Sequence, residues 1–180
     1  MRAWALGRAR ALAGAVLLLA PGRGVAQQVH SAPIERSWTR LDSAARKVDI
    51  TLIAGMSGTN GGMSFNGVTR GALTVAVPVG WRVTFHFENA DQMLPHSLVV
   101  VPYPAQVPVN ATAPAFAGAT THRLQQGLTS DAKEAVTFVP DRPGLYMILC
   151  GVPGHAIAGM WLRLEVAPAP EHIGFEVTSP

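Results

Sequence analysis

The sequence predicts an all-β protein, a sandwich of about seven or eight short strands. Three observations lead there. Its 180 residues make one domain the expected organisation. Apolar and polar residues alternate with a period of two in several short segments. Clusters of Gly, Pro and Asn separate those segments, as turns do.

The chain opens on a segment that reads as a leader. "MRAWALGRAR" is basic, "ALAGAVLLLA" is an apolar run, and Gly24 and Ala26 are placed for cleavage before Gln27. That is the three-part form of a secretory signal over residues 1–26. The run is half the ~20 residues of a membrane span, so only an uncleaved leader would tie the chain to a membrane. No cysteine stands near it to carry a lipid. Residues 27–46 follow as a polar lead-in, with Trp38, Leu41 and Ala45 on one face of a short helix.

The strands occupy residues 47–167. "KVDITLIAG" alternates Val48, Ile50, Leu52 and Ala54 against polar partners. "MSGTNGGMSFNG" is turn chemistry. "GALTVAVP" is the next strand. In "WRVTFHFEN", Trp81, Val83, Phe85 and Phe87 point one way and Arg82, Thr84, His86 and Glu88 the other. "HSLVVV" opens a strand at His96. Residues 102–130, with Pro102, Pro104, Pro108 and Pro114, form a long excursion without a regular strand. Loops of that length are functional or packed on themselves. "KEAVTFV", "LYMILC" and "MWLRLEV" complete the set. Residues 168–180 are a tail, in which Ile173, Phe175 and Val177 are spaced for an added edge strand. Asn110-Ala111-Thr112 is a glycosylation sequon of a kind frequent by chance.

Charge excludes one class of function. The chain has 14 basic and 11 acidic residues. Four arginines lie in residues 1–26, so the remainder carries 14 − 4 = 10 basic against 11 acidic groups, a net charge of −1. No basic patch is left for nucleic acid. There is no internal repeat and no glycine-rich phosphate loop.

The chemistry concentrates in "CGVPGHAIAGMW". Cys150 is the single cysteine, His155 stands five residues on, and Met160 five further. Outside the cytoplasm an unpaired cysteine is a reactive thiol, an intermolecular link or a ligand, and an exposed one oxidises. Alone, Cys150 reads as a small buried hydrophobe, His155 as a surface histidine and Met160 as core packing. Together they supply three of the four donors of a mononuclear copper electron-transfer site: thiolate, imidazole and a weak axial thioether. The second imidazole has to come from elsewhere. His96 is the best placed, following Pro95 at the start of an apolar strand and 54 residues before Cys150.

The rivals are weaker. His86 falls on the polar face of its strand, and His30, His122 and His172 lie in the lead-in, the excursion and the tail. Met56, Met63, Met93 and Met147 read as packing, and so does Trp161. A binuclear copper centre needs two cysteines, a multicopper oxidase needs His-x-His pairs, and structural zinc makes poor use of methionine. A cysteine hydrolase would need Cys150 exposed beside a base, whereas it ends an apolar strand.

An upstream His followed by Cys-x4-His-x4-Met between two strands resembles the cupredoxins, the type 1 blue copper proteins, and within them the sulfocyanin and rusticyanin group. "LPHSLVV" and "CGVPGHAIAGMW" carry the likeness; "TLIAG" and "FNG" add to it more weakly. It covers roughly residues 47–167 and is least over 102–130. The resemblance implies a Greek-key β-sandwich, one copper per chain, and the metal ligands His96, Cys150, His155 and Met160. It implies that Ser97 hydrogen-bonds near the cysteine loop, as in the high-potential members. An apolar lid of Pro95, Pro153, Ala156, Ile157 and Ala158 is expected over the metal, and a dry shell raises the reduction potential.

The function so implied is not enzymatic. It is single-electron transfer in the periplasm or another extracytoplasmic space, in a respiratory chain. The partners would be redox proteins such as a cytochrome or terminal oxidase, docking on a monomer near His155, Pro153, Ala156 and Ile157. A copper carrier or storage protein is the alternative.

Overall fold

The computed structural model describes residue 1 and residues 34–111 and 113–178. The leader, His30 and Thr112 of the sequon lie outside the described residues. Among the described residues nine strands form two packed sheets. Strands β1 (Thr39–Asp42), β2 (Lys47–Ala54), β4 (Arg82–Asn89) and β6 (Lys133–Phe138) make the first, in the order β1-β2-β4-β6. Strands β5 (Val99–Pro102), β7 (Gly144–Leu149), β8 (Trp161–Ala167), β3 (Leu73–Pro78) and β9 (Gly174–Val177) make the second, in the order β5-β7-β8-β3-β9. Pairing is antiparallel except for β2 with β4 and β3 with β8.

The alternation in the sequence is the alternation of the core. Val48, Ile50, Leu52 and Ala54 on β2, and Val83, Phe85 and Phe87 on β4, are buried between the sheets. They meet Leu98, just ahead of β5, and Val100, Ile148, Leu162 and Leu164 from the second sheet in one apolar cluster. Their polar neighbours face out. Trp81 departs from the expectation: it lies half-buried in the turn before β4, its N–H directed at Pro78 O, not on the inward face.

β5 and β7 do not alternate, because both of their faces are covered. Val99, Val101, Met147 and Leu149 form a second buried cluster on the outer side, packed under Val107, Ala111 and Leu124. The 102–130 excursion is therefore a cover for that face, with no strand among its described residues beyond Pro102, the last residue of β5. Its later half also binds the chain ahead of β5. His96 and Leu128 exchange backbone hydrogen bonds, Thr121 N–H reaches Leu98 O at 2.9 Å, and Val100 N–H reaches Ala119 O at 3.0 Å. An irregular partner makes an isolated bridge there in place of a ladder, so β5 begins at Val99 and not at His96.

The ends of the described chain add strands. No α-helix forms on residues 38–45: a short 3-10 turn at Arg36–Trp38 leads straight into β1. Trp38 is buried, whereas Leu41 and Ala45 are exposed. Pairing with the edge of β2 outweighs a short helical pattern, because one turn or two of helix has too few hydrogen bonds to offset its nucleation. The added edge strand in the tail is present as β9, pairing β3, with Phe175 edge-on to Trp38 at 5.6 Å. No helix among the described residues is long and apolar enough to cross a membrane.

Candidate metal centre

The second sheet carries the donors to one end of the sandwich. Cys150 follows β7, Met160 precedes β8, and these two strands are hydrogen-bonded neighbours. Cys150 N–H donates to Met160 O at 3.2 Å, which closes the loop at its base. Within it His155 N–H donates to Val152 O at 3.1 Å, and Met160 N–H to His155 O at 3.0 Å. The loop is thus a folded turn with His155 at its apex. His96 enters ahead of β5, which pairs with β7 on the other side.

His96, Cys150 and His155 each direct one donor atom into a common space, all within 4.8 Å of one another. The two Nδ1 atoms are 3.3 Å apart. Cys150 Sγ lies 3.6 Å from His155 Nδ1 and 3.9 Å from His96 Nδ1. First-row metal bonds of about 2.0 Å to nitrogen and 2.3 Å to sulfur, spread in a plane, put donors about 3.5 Å (nitrogen to nitrogen) and 3.8 Å (nitrogen to sulfur) apart. The triangle therefore has the dimensions of a trigonal site with two nitrogen donors and one sulfur. Met160 is fully buried beside it, at the closing hydrogen bond of the same loop.

The surroundings are dry. His96, Ser97, Cys150 and Met160 are 0–1% exposed, and His155 is half-buried. Burial pushes the Cys150 thiol up, against N–H groups of Ser97 and Val152 and the Ser97 side chain, which favour the thiolate. Burial holds His96 down, opposed by Asp91. Burial and His96 hold His155 down as well. Both imidazoles are therefore neutral at pH 7 and have lone pairs for a metal. A divalent cation is what turns the thiol into a ligand, by displacing its proton.

Ser97 sits where the cysteine loop needs support. Its N–H points at Cys150 Sγ at 3.4 Å. Its hydroxyl donates to Leu124 O at 2.6 Å and accepts Gly151 N–H at 2.9 Å. The expected lid is only partly a lid: Ala156 is buried, whereas Pro153 and Ile157 are exposed. Met93, expected to pack, is 87% exposed.

The other histidines stay apart from the site. His86 lies on the outer face of β4 against Asp49, and His122 pairs with Glu134 near the surface. His172 is exposed in the tail. Trp161 packs edge-on to Tyr103. Four supporting residues escape a reading of the sequence. Asn89 donates to Leu94 O and Leu128 O, Asp91 reaches His96, and Leu124 and Leu128 brace Ser97 and His96 from the excursion. Only their closeness to His96 in the segment "ENADQMLPH" could have marked the first two.

Residues 36–170 match the Sulfocyanin (SoxE) domain family. The chain belongs to the sulfocyanin family. It is 30% identical over 129 residues to the sulfocyanin of Sulfolobus acidocaldarius, a match covering 68% of this chain and 64% of that protein. Among solved structures, a rusticyanin superposes with a TM-score of 0.55 at 18% identity, covering 72% of this chain and 86% of that one. The auracyanin of the photosynthetic bacterium Roseiflexus castenholzii does so at 0.50 and 24%, covering 67% and 97%. All three are cupredoxins, β-sandwich proteins with a single type 1 copper, and the soft thiolate with two imidazoles found here fits that cofactor.

Proposed function

We propose that this sulfocyanin-family protein is an exported single-electron carrier and not an enzyme, with His96, Cys150, His155 and Met160 holding one copper. The observation that carries this is the triangle of donor atoms at 3.3, 3.6 and 3.9 Å in a dry pocket. When bound, copper supplies a Cu(II)/Cu(I) couple that exchanges one electron at a time. The chain does the rest. Backbone bonds that close the 150–160 loop hold the donors before metal arrives, so little rearrangement accompanies a change of charge. Water is excluded by Met160, Ala156 and the core behind them.

His155 is the least buried of the three clustered donors and serves as the electron port. Pro153 and Ile157 are exposed beside it, with Ala156 beneath, and form an apolar docking patch. Transient redox partners use small interfaces, so a monomer presenting this patch to a cytochrome or terminal oxidase of a respiratory chain suffices. Ser97 and the dry shell support a high reduction potential, because an apolar pocket disfavours the extra charge of Cu(II). The buried donors speak against a copper carrier, which has to give its metal up. The leader in the sequence supports export.

The test is the visible spectrum of the copper-loaded protein. An intense cysteine-to-copper charge-transfer band is expected, lost in Cys150→Ser while the copper-free fold survives. A colourless Cu(II) protein overturns the assignment. Electron exchange with a cytochrome faster than copper release to a chelator separates carrier of electrons from carrier of metal.

A further inference from the structure

Asp91 is a buried acid outside the donor set, 8% exposed, in the loop that crosses from β4 to β5. All of its polar atoms are engaged. Oδ1 accepts N–H bonds from Met93 at 2.8 Å and Leu94 at 3.0 Å. Its N–H donates to Asn89 Oδ1 at 2.9 Å, and its carbonyl accepts the Ser130 hydroxyl at 2.7 Å. The remaining oxygen, Oδ2, lies 3.3 Å from His96 Nε2. A carboxylate only accepts, so that nitrogen has to carry the proton. In a neutral ring the other nitrogen, Nδ1, is then bare, and Nδ1 is the atom that faces Cys150 and His155.

The loop from Gly55 to Gly62 is shaped around this carboxylate. A Cβ on Gly55 would fall 2.5 Å from Asp91 Cβ, and one on Gly62 would fall 1.8 Å from Asp91 Oδ2. The backbone has positive φ at Gly55, Ser57, Gly58, Asn60, Gly61 and Gly62. For Ser57 and Asn60 that conformation is strained and persists only where the surroundings over-determine it. Asn60 does part of that work, donating to Ala158 O at 3.0 Å in the ligand loop. One glycine-rich segment thus walls Asp91 on one side and ties to the 150–160 loop on the other.

We propose that Asp91 is a positioning residue: seated against Gly62, its carboxylate fixes the orientation and tautomer of His96, so that Nδ1 is presented bare to the metal, and its charge favours the higher charge state of that metal. This rests on the copper reading above. Partners of this kind, one step behind a metal-bound histidine, orient the ring and raise its basicity, and their loss costs 10–100-fold in metal affinity.

The experiment uses four proteins: wild type, Asp91→Asn, Gly62→Ala and Gly61→Ala. Asp91→Asn would turn an N–H group or a weaker acceptor toward Nε2. Gly62→Ala would push the intact carboxylate off it. Gly61→Ala imposes a similar positive-φ strain (φ +66 against +87) but meets nothing within 4 Å, so it controls for backbone strain and folding. In copper-free protein at neutral pH, imidazole nitrogen-15 shifts should show His96 protonated on Nε2 in wild type and Gly61→Ala. Asp91→Asn and Gly62→Ala should lose that pattern.

In copper-loaded protein those same two variants should bind 10–100-fold more weakly. Their potentials should move positive, each tenfold loss of Cu(II) over Cu(I) affinity reading as about 59 mV. Wild-type tautomer and affinity in both variants would overturn the proposal. So would equal effects of Gly61→Ala and Gly62→Ala. A wild type without the charge-transfer band would sink the copper reading instead, and the copper-free nitrogen shifts would still decide the role of Asp91.

Discussion

Ser97→Ala tests whether the hydroxyl acts on the fold or on the thiolate. Ser97 is fully buried. Its hydroxyl proton is committed to Leu124 O at 2.6 Å, and its oxygen accepts Gly151 N–H at 2.9 Å. The oxygen is 3.9 Å from Cys150 Sγ, whereas the Ser97 backbone N–H is 3.4 Å from it. Alanine keeps that backbone donor and orphans two partners. An unpaired buried polar group costs about 1–3 kcal/mol. Gly151 is buried and takes the full penalty, while Leu124 is half-buried and water relieves part of it. The sum is roughly 2–4 kcal/mol. At about 2–4 °C per kcal/mol for a chain of this size, Tm of the copper-free protein should fall by about 4–16 °C. Thermal unfolding followed by circular dichroism reads this directly. The charge-transfer band of the copper form should stay close to wild type, since Sγ keeps its N–H donor. A Tm within about 2 °C of wild type would show that neither partner is left unpaired. A displaced band would show that the hydroxyl, not the backbone, tunes the sulfur.

Other outcomes follow from the same geometry. Copper binding at pH 7–8 should release about one proton, from the thiol that burial keeps protonated, and almost none from the imidazoles; a pH-stat titration yielding two or more would contradict the lowered histidines. Copper-free protein should lose stability as pH falls below the ordinary histidine value of 6.5, because the unfolded chain then binds protons that buried His96 and His155 resist. Chemical denaturation showing the same stability at pH 7 and pH 5 would refute this. Met160→Leu should fold with a loss under about 1.5 kcal/mol, since the side chain is buried and the swap nearly conserves volume. It should keep copper and raise the potential, and an unchanged potential would remove Met160 from the proposed donor set.

Much of this was legible because it is periodic or local. Period two placed the inward residues of β2 and β4, and Cys150, His155 and Met160 announce one another at fixed spacing in a single loop. The failures share a cause. Trp38, Leu41 and Ala45 suit a helix face, yet the edge of β2 offered residues 39–42 a ladder. His96 looks like the start of a strand, yet its partner is Leu128 in the excursion. Asp91 resembles any turn acid, and its place depends on Gly55 and Gly62 packing against it from another strand connection. Such contacts leave no period in a sequence.

The two sheets contribute differently to the site. All four donors hang on β5, β7 and β8, adjacent strands of the second sheet. Asn89 and Asp91, which lock His96 from behind, come off the end of β4 in the first sheet, and the glycine loop that walls Asp91 follows β2 in that same sheet. The donors are thus held from both layers, and the sandwich core fixes one layer against the other. The two influences on potential divide the same way. In the proposed copper site the dry shell around Cys150 and Met160 would disfavour Cu(II), while a carboxylate one imidazole away would favour it by simple Coulomb attraction. Because Asp91 acts through the ring of His96, its charge stays buried and its effect is weakly screened by salt. Changes that admit water through the lid and changes at Asp91 should therefore move the potential in opposite directions. Within one pocket their effects should couple, with a double variant departing from the sum of the singles.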